Sequence, residues 1–201
     1  MPRTIGKINF IFYDGLKNRR FGNRSLCVLV FLLALIVRLP ANAADIGLLL
    51  DSDYFPEVKQ RIDASRRSIR MVMFEAVYYH RHKNSPSNRL ISALIDAKKR
   101  GVTVEVILDV RNSGDRNTVH NFETADILKQ AGVDVFIDSA RITTHNKLLI
   151  IDEKTVIIGS TNWTYSALAV NHEASVVFDS EETAGEFMAY FEKIKKSAKK
   201  L

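Results

Sequence analysis

The sequence predicts an α/β fold with one domain per chain: a mixed, mostly parallel sheet with helices on both faces. Two observations predict it. Between residues 46 and 137, short apolar runs alternate with amphipathic stretches of helical period, the pattern of strands joined by helical crossovers. Beyond residue 147 the apolar runs are joined by a short polar turn, the pattern of antiparallel strands. Composition agrees. The chain of 201 residues is 46% hydrophobic and 26% charged, which supplies a packed core and excludes collagen-like, low-complexity and wholly disordered classes.

Taken in order, Ile46–Leu50 reads as a strand and Tyr54–Ala64 as a helix, with Asp53 near its start and Pro56 in its first turn. Ser68–Glu75 is a largely buried strand. A polar stretch, 79–88, precedes a helix over Asn88–Arg100 that lines up Leu90, Ile91, Leu94 and Ile95 and stops at Gly101. Val102–Asp109 is a strand, Asn121–Ala131 a helix closed by Gly132, and Val133–Ile137 a strand. Leu148–Ile151 and Val156–Ile158 form a hairpin over the four-residue turn Asp152–Thr155, and Glu173–Phe178 adds a strand. Asp179 or Ser180 caps a last helix with Glu181 and Glu182 in its first turn, Phe187, Phe191 and Ile194 along its face, and lysines at its end.

The N-terminal segment differs from the rest. Leu26–Val37 is an unbroken apolar run of 12 residues, preceded by Lys17, Arg19, Arg20 and Arg24 and followed by Ala41-Asn42-Ala43-Ala44. A basic region, a short apolar region and a small-x-small site predict a signal peptide over 1–43, cleaved after Ala43, and export to the periplasm or outside the cell. The alternative is an uncleaved anchor. A full membrane span needs about 20 apolar residues, and lengthening this run would bury Arg38, Pro40 and Asp45. The remainder, 44–201, is read as one folded domain. The only cysteine, Cys27, lies in the apolar run, so the domain has no disulfides, no cysteine zinc site and no thiol catalysis.

Charge follows the same division. The net charge is +6, and residues 1–44 hold 7 basic residues against 1 acidic, whereas 45–201 hold 22 of each. The surplus belongs to the export segment and carries no information about a nucleic-acid partner. The basic clusters Arg66-Arg67-Ser68-Ile69-Arg70 and Lys98-Lys99-Arg100 read as ordinary helix ends, and the stretch with His80, Arg81, His82 and Lys83 as a loop open to substrate.

The chemistry concentrates in His145-Asn146-Lys147, Asp152, and Gly159-Ser160-Thr161-Asn162. With Asp152–Thr155 as the turn, Ile151 pairs with Val156, which sets Lys147 opposite Ser160 and His145 opposite Asn162. A potential nucleophile, a cation and two neutral hydrogen-bonding side chains then share one patch, an inventory suited to phosphate. Asp152 falls on the other parity and reads as structural, with Gly159. His172 reads as a bystander, and Trp163 as core or site wall rather than a base-stacking platform.

This spacing, H-x-K-x(4)-D-x(6)-G-S-x-N, resembles the signature of the phospholipase D superfamily without gap or substitution, and the resemblance covers roughly residues 45–201. The chain looks most like the short, single-motif bacterial secreted endonucleases, whose pattern adds an acidic residue after the motif; Glu173 fills that place. The resemblance implies a phospholipase D-like catalytic domain over 44–201, a phosphodiester hydrolase working without metal or other cofactor. In it His145 attacks phosphorus and forms a phosphohistidine, Glu173 accepts a hydrogen bond from the other ring nitrogen, and Lys147, Ser160 and Asn162 hold the phosphate oxygens. Family chemistry uses two histidines and this chain has one motif, so the resemblance also implies a homodimer with a shared site. A non-specific endonuclease on DNA or RNA is the leading expectation, and a phospholipase D acting on phosphatidylcholine-type lipids the alternative.

Overall fold

The computed structural model describes residues 45–112 and 114–201; the expected export segment, 1–43, lies outside the described residues. The elements are β1 (Ile46–Leu50), α1 (Tyr54–Ala64), β2 (Ser68–Met73), α2 (Pro86–Lys99), β3 (Thr103–Leu108), α3 (Arg116–Gln130), β4 (Asp134–Ile137), β5 (Lys147–Ile151), β6 (Thr155–Gly159), α4 (Tyr165–Ala169), β7 (Ala174–Asp179), α5 (Glu181–Lys195) and β8 (Lys199–Lys200). All strands join one sheet in the order β1-β7-β6-β5-β2-β3-β4-β8.

The sheet is mixed, with a balance different from the expectation. Parallel pairing is confined to β2-β3-β4, the strands connected by α2 and α3, and every other neighbour is antiparallel. The cause is connection length. Nine residues without a helix lead from β4 to β5, and β5–β6 is a tight hairpin, so the chain reverses instead of crossing over. Alternation along the strands builds two cores. Ile69, Met71, Leu149 and Ile157 pack under α1, α2 and α3, while Val72, Leu148, Ile150 and Val156 pack against Ala184 and Phe191 of α5, which places helices on both faces.

Capping explains the helix boundaries. Ser85, Asp115, Thr164 and Ser180 each accept an N–H from the first turn of α2, α3, α4 and α5, and Pro86 occupies the first position of α2. Gly101 and Gly132 follow α2 and α3 with φ of 92° and 84°, a conformation that side-chain-bearing residues avoid.

Two further sequence expectations need correction. First, α3 begins at Arg116, five residues before the expected start, because its buried face is polar at this end. Asn117, Thr118, Asn121 and Thr124 are buried there, invisible to a search for apolar periodicity. They replace sheet pairing for the chain leaving β2: Asn117 and Asn121 donate to the Phe74 carbonyl at 2.9 and 2.7 Å, Asn121 accepts the Ala76 N–H, and Thr124 donates to the Ala76 carbonyl. Second, the β5–β6 turn has three residues, Asp152-Glu153-Lys154, with Asp152 and Glu153 at φ of 53° and 60°. Ile151 pairs with Thr155 and Leu148 with Ile158. By that register Lys147 lies across from Gly159 instead of Ser160, and His145 across from Thr161 instead of Asn162.

Candidate active site

The motif residues gather where β2 and β3 end and β5 begins, at the carboxyl edge of the parallel strands, the place where open α/β sheets collect ligands. Lys147 is the first residue of β5, pairs with Met73, and is 5% exposed. Its ammonium donates to His145 Nε2 at 3.2 Å and to the His145 carbonyl at 3.2 Å. Because an ammonium can only donate, the neutral imidazole accepts at Nε2 and carries its proton on Nδ1.

Phe74 is the packing centre of this end. The His145 ring meets it edge-on with centroids 4.4 Å apart, and Lys147 Nζ and Arg111 stand over its ring at 4.7 and 5.1 Å. The loop before His145 is pinned from below. Thr144 donates its N–H to the fully buried Asp109 at 2.7 Å and its hydroxyl to Asp138. Burial pushes the Asp109 carboxyl up, with Thr144 and Arg111 opposing. His145 moves the other way: burial lowers its pKa first, the Lys147 charge second, against the pull of Asp109. The ring therefore favours its neutral, nucleophilic form. Burial also lowers Lys147, while Glu173, Asp109 and Glu75 support its charge.

Ser160 and Asn162 reach this edge by leaving the sheet after Gly159. A Cβ on Gly159 would lie 2.5 Å from the Ala174 carbonyl oxygen and closer still to Ser175 Oγ and Cα, so glycine alone lets β6 and β7 meet here. The Ser160 hydroxyl donates to Glu173 and accepts the Ala174 N–H at 3.1 Å. Glu173 also accepts from Asn171 at 3.2 Å. Within the chain, then, the Glu173 carboxylate is engaged by Ser160 and Asn171 instead of the expected His145, whose ring accepts from Lys147. Asn162 is carried to the wall of an adjoining cleft because Trp163 donates its N–H to the Glu75 carbonyl and accepts from Val77. Its amide oxygen is buried without a protein partner. Trp163 itself is fully buried, with Nε1 donating to the Tyr54 hydroxyl at 3.3 Å.

Asp152 lies at the opposite end of β5, roughly 17 Å from Lys147 by strand rise. Its carboxylate accepts the backbone N–H groups of Arg66, Arg67 and Ser68 at 2.7 to 3.1 Å. Burial alone would raise its pKa; these three donors and the Arg67 charge outweigh burial and hold it below the ordinary carboxylate value. His172 is fully exposed at its side chain and reaches only Asp51, at 3.3 Å. The basic helix ends are engaged locally: Lys98 with Asp134, Lys99 with Asp96, Arg100 with the Ile62 carbonyl.

One pair escaped the sequence reading. Glu75 accepts from His120 Nδ1 at 3.0 Å, and both line the cleft of about 450 Å³ that Asn162 and Asn171 wall. Glu75 stands just beyond the carboxyl end of β2, a position worth inspecting in any parallel strand, but His120 lies in the polar half of α3 where periodicity gave no signal. Among the described residues, no three His, Cys, Asp or Glu side chains come together as a metal-holding group.

Comparison with known proteins places this arrangement. The family described as cardiolipin synthase, PLD-like domain, matches residues 58–195. A phospholipase D of Rickettsia bellii is 37% identical over 114 residues, 57% of this chain and 54% of that protein, and human mitochondrial cardiolipin hydrolase is 31% identical over 96 residues, 48% and 36%. The chain thus spans about half the length of the Rickettsia relative, and less of the human one. Among solved structures, Nuc of Salmonella typhimurium, a phospholipase D family member, superposes with a TM-score of 0.67 at 25% identity, over 79% of this chain and 99% of that one. NucT of Helicobacter pylori shares the fold, with a TM-score of 0.62 at 20% identity. With a family match across more than half its length, a superposable fold and the His145–Lys147 contact at the sheet edge, the chain belongs to the phospholipase D superfamily.

Proposed function

We propose that this protein is a phosphodiesterase that cleaves nucleic acid through a covalent phosphohistidine at His145, without metal, in a homodimer with a shared site. The neutral His145 attacks phosphorus, the bond to the leaving oxygen breaks, and that oxygen takes a proton from the histidine of the facing subunit, which enters the step as the imidazolium. Water then attacks phosphorus, gives its proton to that same histidine, and releases His145. Lys147 and Asn162 hold the non-bridging oxygens as charge grows on them, and Nε2, which faces the Lys147 ammonium, places attack and charge stabilisation at one point. Ser160 holds Glu173, which in the dimer orients the imidazole of the facing subunit. Exposed apolar side chains support a facing subunit: Ile142, three residues before His145, and Val119 and Phe122, on either side of His120, are 72%, 44% and 40% exposed.

The observation that carries nucleic acid over lipid is the polarity of the cleft beside Asn162. It is walled by His120, Glu75, Asn117 and Asn171, groups that hydrogen-bond a nucleoside and would leave acyl chains unsolvated. No helix among the described residues is long and apolar enough to cross a membrane. The Rickettsia phospholipase D and the mitochondrial cardiolipin hydrolase among the relatives favour a lipid substrate, and the second reading is a phospholipase D on phosphatidylcholine-type lipids. Export by residues 1–43, to the periplasm or beyond, belongs to the same proposal.

The test incubates the protein with plasmid DNA, RNA and phosphatidylcholine vesicles, with and without chelator, beside His145→Ala. Chelator-resistant nucleic-acid cleavage that His145→Ala abolishes is expected. Choline release with intact nucleic acid would overturn the nuclease reading, and loss of activity with chelator the metal-free one. A fully active monomer in sedimentation would overturn the shared site.

A further inference from the structure

A second, larger cleft adjoins the first. It has a volume of about 810 Å³ and shares Tyr79 and Ser166 with the cleft beside Asn162, so the two run on from one another. Its wall is Tyr79 and the segment Arg81–Pro86 together with Tyr165. Arg81, His82 and Lys83 are exposed there, and among the described residues none of them has a carboxylate within ion-pair distance.

This loop is built rather than loose. The buried Asn88 accepts the Tyr79 N–H at 2.8 Å and donates to the Tyr79 carbonyl at 3.0 Å. His82 donates its N–H to the Tyr79 carbonyl and Ser85 to the His82 carbonyl, so successive turns hold the three basic side chains in sequence. Ser85 then caps α2. The Tyr79 hydroxyl accepts the Tyr165 N–H at 3.0 Å, which fixes two aromatic residues in the shared wall, and Tyr165 is 51% exposed. Uncompensated cations on a preorganised loop, with an open aromatic face beside them, are the two components of a single-strand platform: charge for the backbone and a ring for a base.

We infer that the Arg81–Lys83 loop and Tyr165 form a subsite for single-stranded nucleic acid, receiving the part of the strand that leaves the reacting phosphate past Asn162 and His120. Arg81 and Lys83 take backbone phosphates, and an unpaired base stacks on Tyr165. A duplex keeps its bases stacked on each other and offers no face to that ring, so the subsite selects unpaired strands. The inference rests on the nuclease reading for turnover and stands apart from it for binding.

The experiment measures binding of a fluorescein-labelled 12-nucleotide oligothymidylate to His145→Ala protein by anisotropy, and kcat/KM of the same oligonucleotide against bis(p-nitrophenyl) phosphate with an intact His145. The double variant R81A/K83A is expected to weaken binding at least tenfold and to lower the logarithmic salt slope by about 1.4, the value for two single-strand phosphate contacts. Y165A is expected to weaken binding by about fivefold or more, with the salt slope kept. In both, the ratio of oligonucleotide to small-diester kcat/KM falls. A double variant of two exposed lysines at the end of α5, K193A/K196A, controls for general charge and leaves affinity unchanged. Unchanged affinity in R81A/K83A and Y165A, equal binding of a matching duplex, or an equal loss in the α5 control overturns the subsite. Wild-type turnover of the small diester and of phosphatidylcholine without cleavage of any nucleic acid overturns the nuclease reading, while the anisotropy still decides the subsite.

Discussion

Gly159→Ala tests how the motif glycine works. Its added methyl would stand 2.5 Å from the Ala174 carbonyl oxygen and nearer to Ser175 Cα and Oγ, where ordinary contact begins near 3.4 Å. Two of these three obstacles are backbone, so rotating a side chain cannot relieve them; β7 must draw back by about 1 Å. β7 is paired on both sides, to β6 and to β1, and displacement strains both ladders. Overpacking of this kind costs about 1 to 3 kcal/mol, and the backbone obstacles put Gly159→Ala at about 3. For a domain of this size that lowers Tm by roughly 6 to 12 °C. Urea unfolding followed by circular dichroism reads the first number and calorimetry the second. Adding Ser175→Gly removes only Oγ and Cβ, leaving Cα and the Ala174 carbonyl, so it restores only part of the loss. A stability loss under 1 kcal/mol, or full rescue by Ser175→Gly, would refute the steric account.

Asp152→Ala should lower stability by about 2 kcal/mol through three freed N–H groups and, because the turn it holds positions Asn162 relative to His145, should also lower activity per folded molecule; thermal melts and active-site titration check both. Because its pKa is held below the ordinary value, the stability Asp152 gives is complete above about pH 4 and lost as pH falls through the depressed value, a loss absent from the acid titration of the variant. For His145, burial and the Lys147 charge act the other way on a cation: the fold binds this proton less tightly than the unfolded chain, so stability declines as pH falls from the ordinary 6.5 to the lowered pKa and is unaffected above it. Ring NMR should find His145 titrating below 6.5, and higher in Lys147→Met; a wild-type midpoint at or above 6.5 would contradict the neutral nucleophile. His120→Gln, which removes the ring that Glu75 holds in the cleft, should raise KM for nucleic acid by about five- to tenfold, the worth of one net hydrogen bond, with Tm unchanged; an unaltered KM would remove His120 from the substrate path.

What the sequence made legible follows from which interactions leave a periodic mark. β1 and α1 match their expected limits because a short apolar run and Tyr54, Val58 and Ile62 at helical spacing dictate them. The early half of α3 left no such mark, since its inward face binds backbone through Asn and Thr, and His120 was missed with it. The sheet's balance was misjudged because the seven expected strands were weighed by their crossovers, and only α2 and α3 make crossovers between neighbouring strands; the two-residue β8 was too short to leave a pattern. His145, Lys147, Ser160, Asn162 and Glu173 could be picked out as a candidate set from their spacing and the family resemblance, whereas the Ser160 partner of the Glu173 carboxylate could not, because a hydrogen bond between a hairpin exit and the next strand depends on three-dimensional register.

The register slip shows why the motif needs its full spacing. A four-residue turn would have set His145 and Lys147 directly across from Asn162 and Ser160. With three residues in the turn, the strand register alone would turn Ser160 and Asn162 to the face opposite Lys147. The chain recovers because it parts from β5 after Gly159: Ser160 still donates its N–H to the Ala174 carbonyl of β7, and Trp163 then donates to the Glu75 carbonyl, which swings the segment toward the end of β2. That exchange needs β7 close, hence the glycine, and the short turn needs two residues at positive φ, held by Asp152 locked onto Arg66, Arg67 and Ser68. Asp152 and Gly159, which touch none of the groups proposed to react, therefore set where the asparagine stands relative to the histidine, and in the proposed mechanism three of the six fixed residues position and three act.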